Sequence, residues 1–438
     1  MNHIHNSLWS DTATLPNFPQ LNEDITTDVL VIGGGMAGIL CTYLLAQAGV
    51  NVILAEANTI GSGITGNTTA KLTSQHGLIY SRLAQEFGWD CAKGYFAANE
   101  QALAKYRMLC AQIDCDFEEQ DAYVYTTAHP KKLEQELRTL DKLKAGAEFV
   151  QDIPLPVSVQ GAIRFKQQAQ FHPLKFIAGI ADSLPIYEHT KVLSYDGRYF
   201  HTEHNRISAK KTIVTTHFPM FNKHGGYFLK LYQHRSYVVA LENAPDINGM
   251  YVDENEYGLS FRSHGNLLLM GGGAHRTGKH GGGWDALSAL AKKYYPDAKE
   301  AYRWAAQDCM TLDGIPYIGQ YAKNTPNLYV ATGFNKWGMT SAMAAAQILT
   351  DLVQEKENPY AEWFCPSRSI LRPQLVSNVL ESTANLLTFT KPRCPHMGCA
   401  LKWNAQEHSW DCPCHGSRFD ARGGLLDTPA NSDIKLNS

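Results

Sequence analysis

The sequence predicts a chain built on two sheets and a tail. The first is an α/β sheet of parallel strands, the second an antiparallel sheet, and the tail a short C-terminal unit made around two Cys/His loops. Three observations predict this. A glycine-rich turn joins an apolar strand to an apolar helix within residues 29–46; residues 227–271 alternate apolar and polar side chains; and four of the ten cysteines fall between residues 394 and 414.

Residues 1–25 are polar and mixed, and Pro16 and Pro19 argue against a regular helix, so a surface arm is expected there. Val29-Leu30-Val31-Ile32 is short and apolar enough for a strand buried on both faces. Gly33-x-Gly35-x-x-Gly38 follows it. In such a turn the first glycine allows the bend, the second lets the backbone approach a pyrophosphate, and the third lets the helix pack near the strand. The N–H groups at the helix start and the helix dipole then favour phosphate. A second strand, Asn51-Val52-Ile53-Leu54-Ala55, ends at Glu56. That carboxylate stands about twenty residues past the glycines, where a ribose acceptor belongs. Together these features predict dinucleotide binding over residues 26–56.

The Gly/Thr loop at residues 61–71 is placed to line the ligand. Helical patterns cover residues 81–115 and 130–145, and strand-like segments fall at 191–196 and 211–216, the latter suited to a returning strand of the first sheet. The alternation over 227–271 reads as an antiparallel sheet with one wet face. Asn327-Leu328-Tyr329-Val330-Ala331-Thr332 repeats the opening logic: a strand, a glycine-bounded turn from Gly333 to Gly338, then an apolar helix from Met339 to Val353. Pro359, Pro366 and Pro373 mark residues 356–375 as a linker.

A chain of 438 residues has room for two or three domains. Its net charge of −3 predicts no polyanion partner, and hence no nucleic acid. No basic start precedes an apolar core and no apolar run is long enough to span a bilayer, so a cytoplasmic protein without a transmembrane segment is expected. Clustered cysteines in that setting point to metal rather than to a disulfide framework.

The first 355 residues resemble the glutathione-reductase-type FAD fold of the D-amino-acid-oxidase-like superfamily, which includes glycine and sarcosine oxidases. The likeness rests on Gly33, Gly35, Gly38, Glu56, the loop at 65–71, and the block Asp313-Gly314-Ile315-Pro316-Tyr317-Ile318-Gly319 with Gly333 and Gly338-Met339-Thr340. It implies FAD, held by these residues and Thr69. It also implies a discontinuous FAD domain (26–105, 156–220, 301–355) covered by a substrate domain (106–155, 221–300). In such enzymes the flavin accepts a hydride from the carbon next to an amine, and the protein supplies orientation and positive electrostatics. Lys71, His76 and Lys336 are the candidates for catalytic groups, with Thr340 as a further polar group near the ring. Cys309 sits where some sarcosine oxidases link their flavin, but Thr311 replaces an aromatic residue of that motif, and an inert buried thiol is expected. Arg262 could clamp a carboxylate or simply be an exposed strand arginine.

At the C-terminus, Cys394-Pro395-His396-Met397-Gly398-Cys399 is followed by Cys412-Pro413-Cys414-His415-Gly416-Ser417. Zinc fingers and ribbons favour Cys-x-x-Cys and His-x(3–5)-His spacing. Here each loop brings one thiolate and one imidazole, which suits a two-iron cluster with soft ligands on one iron. The stretch over 376–438 resembles a Rieske [2Fe–2S] domain. By that likeness Cys394 and Cys412 hold one iron, His396 and His415 the other, Cys399 and Cys414 form a disulfide, and Ser417 donates to a cluster sulfide. Phe419 replaces the tyrosine of high-potential members, which should lower the potential within the Rieske span of roughly −150 to +300 mV. The unit is short: it either borrows support from the flavin region or is a shortened family member.

As a whole the chain resembles bacterial FAD-dependent oxidoreductases with a Rieske domain, with signature-like blocks at 68–80 and 168–173. The resemblance implies oxidation of an amine or amino acid by FAD, with single electrons passing through the cluster to an outside donor or acceptor. Two alternatives stay open at this point: a cluster that feeds a flavin reductase, and a redox sensor or electron-transfer module without small-molecule turnover.

Overall fold

The computed structural model describes residues 7–221, 224–388 and 392–436. Residues 1–6 of the expected arm and 437–438 of the C-terminal unit lie outside the described residues.

The first sheet grows from the glycine turn. The Ile25–Ile32 strand pairs in parallel with Val52–Ala55 on one side and Arg206–Val214 on the other, and the Leu328–Thr332 strand extends the parallel set. The strand bearing the glycine turn therefore sits mid-sheet, buried on both faces as its apolar run requires. The Met36–Gln47 and Gly338–Val353 helices pack on each other over one face, so both glycine turns open at the same end of the sheet.

The second sheet has nine strands and is mostly antiparallel. The expected alternation over 227–271 appears as Leu231–Glu242, Met250–Asp253, Ser260–His264 and Leu267–Arg276. Two segments assigned above to the FAD domain belong here instead. Gly161–Gln170 pairs with Glu118–Thr126, and Lys299–Thr311 pairs along Leu231–Glu242. Their sequence patterns fit either sheet; only long-range pairing chooses between them.

The described part of the N-terminal arm runs largely along the surface, as expected, but is anchored at its start. A short helix, Leu8–Thr12, precedes the prolines and buries Leu8 and Trp9. The Trp9 indole N–H donates to Thr68 O at 2.7 Å, tying the arm to the Gly/Thr loop. The segment read as a linker contains the Ala361–Phe364 turn of helix, and Pro373 starts a helix that runs to Leu386. Proline at a first helical position is tolerated because its missing N–H has no partner there. The C-terminal unit closes as a four-stranded antiparallel sheet from Lys402–Asn404 to Leu425–Asp427.

Candidate functional site

Two cavities meet at the ends of these elements. The first, about 300 Å³, is lined by Gly33, Gly35, Glu56, His217, Cys309 and Gly333 among others, and by residues 426–429 and 431 of the C-terminal unit. Its shape follows from the glycines. A Cβ on Gly38 would stand 1.8 Å from Gly33 O, so only glycine lets the helix start this close to the strand end. Gly33 itself has φ +107°, a conformation that L side chains resist. The Glu56 carboxylate reaches back to accept from Gly34 N at 2.6 Å and Asn58 N at 2.8 Å. Burial raises its pKa against those bonds. The Thr65 hydroxyl accepts from Met36 N at 2.9 Å, at the very start of the helix.

The second cavity, about 570 Å³, shares Ile64, Asp308, Asn335, Lys336, Gly338 and Met339 with the first. Thr69, Lys71, Gly314 and Trp337 line it, and strands of the nine-stranded sheet cover it through Tyr232, Ser236 and Val252. A cradle for a pyrophosphate thus opens into a covered chamber, the arrangement a flavin with a substrate over its ring requires.

The expected site residues fare differently. Gly33, Gly35, Glu56 and Gly333 line the first cavity, Thr69 and Gly314 the second, and Gly338 and Met339 both. Thr340 lines neither: its hydroxyl accepts from Thr73 N at 3.0 Å. Lys71 lies in the second cavity with Nζ 3.3 Å from Thr69 Oγ1, and burial beside Arg262 brings its pKa down to about 7. His76 also borders that cavity, but Nδ1 bonds the Tyr95 hydroxyl at 2.6 Å and Nε2 bonds Thr73 O at 2.8 Å. With both nitrogens engaged, the ring stacks on Trp337 at 5.0 Å and leaves no group for a substrate. Lys336 sits in the turn before the late helix, its ammonium donating to Glu256 O at 3.1 Å. Cys309 is a buried thiol on the first cavity, pushed up to about 12 by desolvation. Arg262 is neither exposed nor a carboxylate clamp. It is fully buried, donates to Thr69 O and Ala70 O at 2.8 Å each, and so fixes the Gly/Thr loop from beneath.

The two Cys/His loops share one closure. Gly398 N donates to Cys394 O at 2.8 Å, and Gly416 N donates to Cys412 O at 2.9 Å. Both glycines take positive φ, +77° and +85°. The two loops face each other, so the imidazoles of His396 and His415 stand 4.8 Å apart, edge to face. Burial holds their pKa values down, to about 3 and about 4, and both rings are neutral at pH 7. His415 Nε2 meets Phe228 O at 3.1 Å. A carbonyl only accepts, so Nε2 carries the proton and Nδ1 presents a bare lone pair. That Nδ1 is buried without a hydrogen-bond partner, which fits a metal ligand whose ring is oriented through its other nitrogen. The sulfurs of Cys399, Cys412 and Cys414 lie within 4.8 Å of one another. Cys399 and Cys414 are free thiols here; the disulfide expected from the resemblance is not formed. The Ser417 hydroxyl accepts from Ala430 N at 3.0 Å and also lies against the Cys394 thiol.

The histidine edge of these loops faces inward. The Phe218 ring stands edge-on to both imidazoles, at 6.0 Å from His396 and 6.2 Å from His415, and Phe218 also lines the first cavity. Gln307 Nε2 donates to Gly416 O at 2.9 Å and Arg276 Nε to Pro413 O at 3.1 Å. A buried ion network holds the unit in place. Arg235 of the nine-stranded sheet pairs with Glu407, Arg418 donates to Glu407 at 2.7 Å, and Arg418 also meets Asp411 and Asp427 at 3.0 Å each. Charge spacing along the sequence gives no signal for the Arg235–Glu407 link or for Phe218 against the two histidines, because those partners are more than a hundred residues apart.

Residues 28–352 match the family model described as FAD dependent oxidoreductase, and residues 376–437 match the Rieske [2Fe-2S] domain. The chain belongs to the family of FAD-dependent oxidoreductases and carries a Rieske domain at its C-terminus. Such domains bind FAD and a [2Fe–2S] cluster respectively. Among curated proteins, the chain is 35% identical to a Rieske 2Fe-2S iron-sulfur protein, YhfW, of Bacillus subtilis (strain 168), over 98% of this chain and 96% of that one. It is 24% identical to the gamma-glutamylputrescine oxidoreductase of Escherichia coli (strain K12), over 77% of this chain and 86% of the relative. Among solved structures, glycine oxidase from Geobacillus kaustophilus superposes with a TM-score of 0.66 at 19% identity, covering 79% of this chain and 99% of that one. No helix among the described residues is long and apolar enough to cross a membrane.

Proposed function

We propose that the protein oxidises a small amine or amino acid at the carbon next to nitrogen and passes the electrons singly to an outside partner through its Rieske unit. When bound, FAD supplies a hydride acceptor that can release electrons one at a time, and the cluster supplies a one-electron relay. The observation that carries the reading is Phe218, which lines the cavity built by the dinucleotide glycines and stands edge-on to both histidines of the Cys/His loops.

The chain's own residues divide the work. Gly33, Gly35 and the helix start cradle the pyrophosphate, and Glu56 meets the ribose. The turn from Gly333 to Gly338 aims a helix N-terminus at the far end, where partial positive charge stabilises a reduced ring. Lys336, and Lys71 when protonated, add positive charge within the chamber, over which strands of the nine-stranded sheet lie. Cys394 and Cys412 hold one iron, and His396 and His415 the other. A chamber of about 570 Å³ lined by charged groups of both signs supports turnover of a small molecule rather than a sensor without one. The name of the Escherichia coli relative supports an amine as the substrate. With a relay built against the flavin wall, oxygen is a poor acceptor. Anaerobic addition of candidate amines to the loaded protein is expected to bleach the flavin first and then raise the low-average-g EPR signal of a histidine-ligated cluster. A cluster that becomes reduced while the flavin stays oxidised throughout would overturn the reading.

A further inference from the structure

Asp308 lies on the Lys299–Thr311 strand and lines both cavities, at the point where they join. The residue is only half-buried, and its carboxylate accepts from the Ser236 hydroxyl at 3.3 Å. Among the described residues it forms no ion pair, although three basic side chains, Arg235, Lys336 and His217, lie near it. Each of the three is engaged elsewhere. Arg235 pairs with Glu407, Lys336 donates to Glu256 O at 3.1 Å, and His217 Nε2 bonds Gln233 Oε1 at 3.1 Å. A partly desolvated carboxylate without a counter-ion is costly, and a cation from a ligand removes that cost. The chamber beyond it is acidic as well: Asp253, Glu254 and Glu256 line it. Of the basic groups lining it, Arg82 donates to Asp313 O at 2.7 Å and Lys71 bonds the Thr69 hydroxyl. The junction therefore carries a carboxylate that no cation of the chain contacts directly, although Lys336 lies near it, and no arginine free to grip a substrate carboxylate.

We propose that Asp308 receives the ammonium group of the substrate at the flavin end of the chamber, with the Ser236 hydroxyl holding the carboxylate in place. The substrate class is then a free amine recognised through its positive nitrogen, and a carboxylate is excluded from this end. This deepens the amine reading above and rests on it for the word substrate, not for the binding itself.

Two probes that share a tert-butyl group and carry opposite charge test it: tert-butylamine, protonated at neutral pH, and pivalate. Neither carries a hydrogen on the carbon next to its charged group, so neither can donate a hydride there. Titration into the FAD-loaded full chain, followed by the flavin difference spectrum, is expected to show tert-butylammonium binding at least about tenfold tighter than pivalate, the scale of one charge-assisted hydrogen bond. Asp308→Asn is expected to weaken tert-butylammonium by about tenfold or more while pivalate holds or tightens. A position that mattered only for packing would lower both alike. Pivalate binding as tightly as tert-butylammonium in the unaltered protein overturns the proposal, and this comparison decides even where Asp308→Asn fails to retain flavin. A change of less than about twofold for tert-butylammonium in a flavin-loaded Asp308→Asn also overturns it. If oxidisable amines never bleach the flavin yet tert-butylammonium still requires Asp308, amine oxidation falls and the cation site stands.

Discussion

Replacing Glu407 by glutamine probes how the C-terminal unit is held. Glu407 is 7% exposed, as is Arg235, and Arg418 is 5% exposed, so solvent screens this cluster little. The two guanidiniums outweigh the cost of burial and hold the Glu407 carboxyl down to about 2, from an ordinary 4.5. A shift of that size is worth about 3 kcal/mol at neutral pH, at about 1.4 kcal/mol per unit. Breaking a buried pair by removing one partner costs about 3–5 kcal/mol, so the two estimates agree. Arg418 keeps Asp411 and Asp427 in the variant, whereas Arg235 loses its carboxylate, and the damage falls on the contact between unit and sheet. Native-state hydrogen exchange in the strands from Lys402–Asn404 to Leu425–Asp427 is the assay. Protection there should fall by about a hundredfold in Glu407→Gln, with the Ile25–Ile32 strand unaffected. Because the folded pKa is depressed, the contribution is complete above about pH 4.5 and disappears as the pH falls toward 2. The gap between the two proteins should therefore be constant from about pH 6 to 8. A loss of protection below about fivefold, or a gap that varies over that range, would refute the assignment of the clamp to this charge.

Gly38→Ala places a methyl 1.8 Å from Gly33 O and should abolish FAD retention, read as a colourless or purely iron-coloured preparation. Acid precipitation should release all the flavin, because the Cys309 thiol stays protonated near neutral pH; yellow protein in the pellet would contradict this. Arg262→Met leaves the Thr69 and Ala70 carbonyls without their donor, at about 1–3 kcal/mol for each buried acceptor. It should lower the thermal midpoint and weaken FAD more than it alters the cluster's EPR signal.

The parts of this site that were legible in the sequence are those made by neighbours in the chain. A strand, three glycines and a helix within 20 residues define the dinucleotide cradle because its geometry is local. The Cys/His loops declare themselves for the same reason, each closing on its own glycine. The rest depends on pairing at a distance. Gly161–Gln170 could serve either sheet until Glu118–Thr126 takes it. Arg262 reads as a surface residue because strand alternation says which side it points to, not that the N-terminal arm and the 65–71 loop lie over that side. His217 and Phe218 follow a buried strand as an unremarkable pair, and Phe218 comes between the first cavity and the Cys/His loops only when the C-terminal unit docks on it.

Residues of the C-terminal unit share a cavity with the glycine turn: Leu426, Asp427, Thr428, Pro429 and Asn431 line it, so in the proposed reading they form part of the cradle for the nucleotide. Loading of the two prosthetic groups is therefore thermodynamically reciprocal. Whatever factor an installed cluster adds to the grip on FAD, FAD adds to the grip on iron.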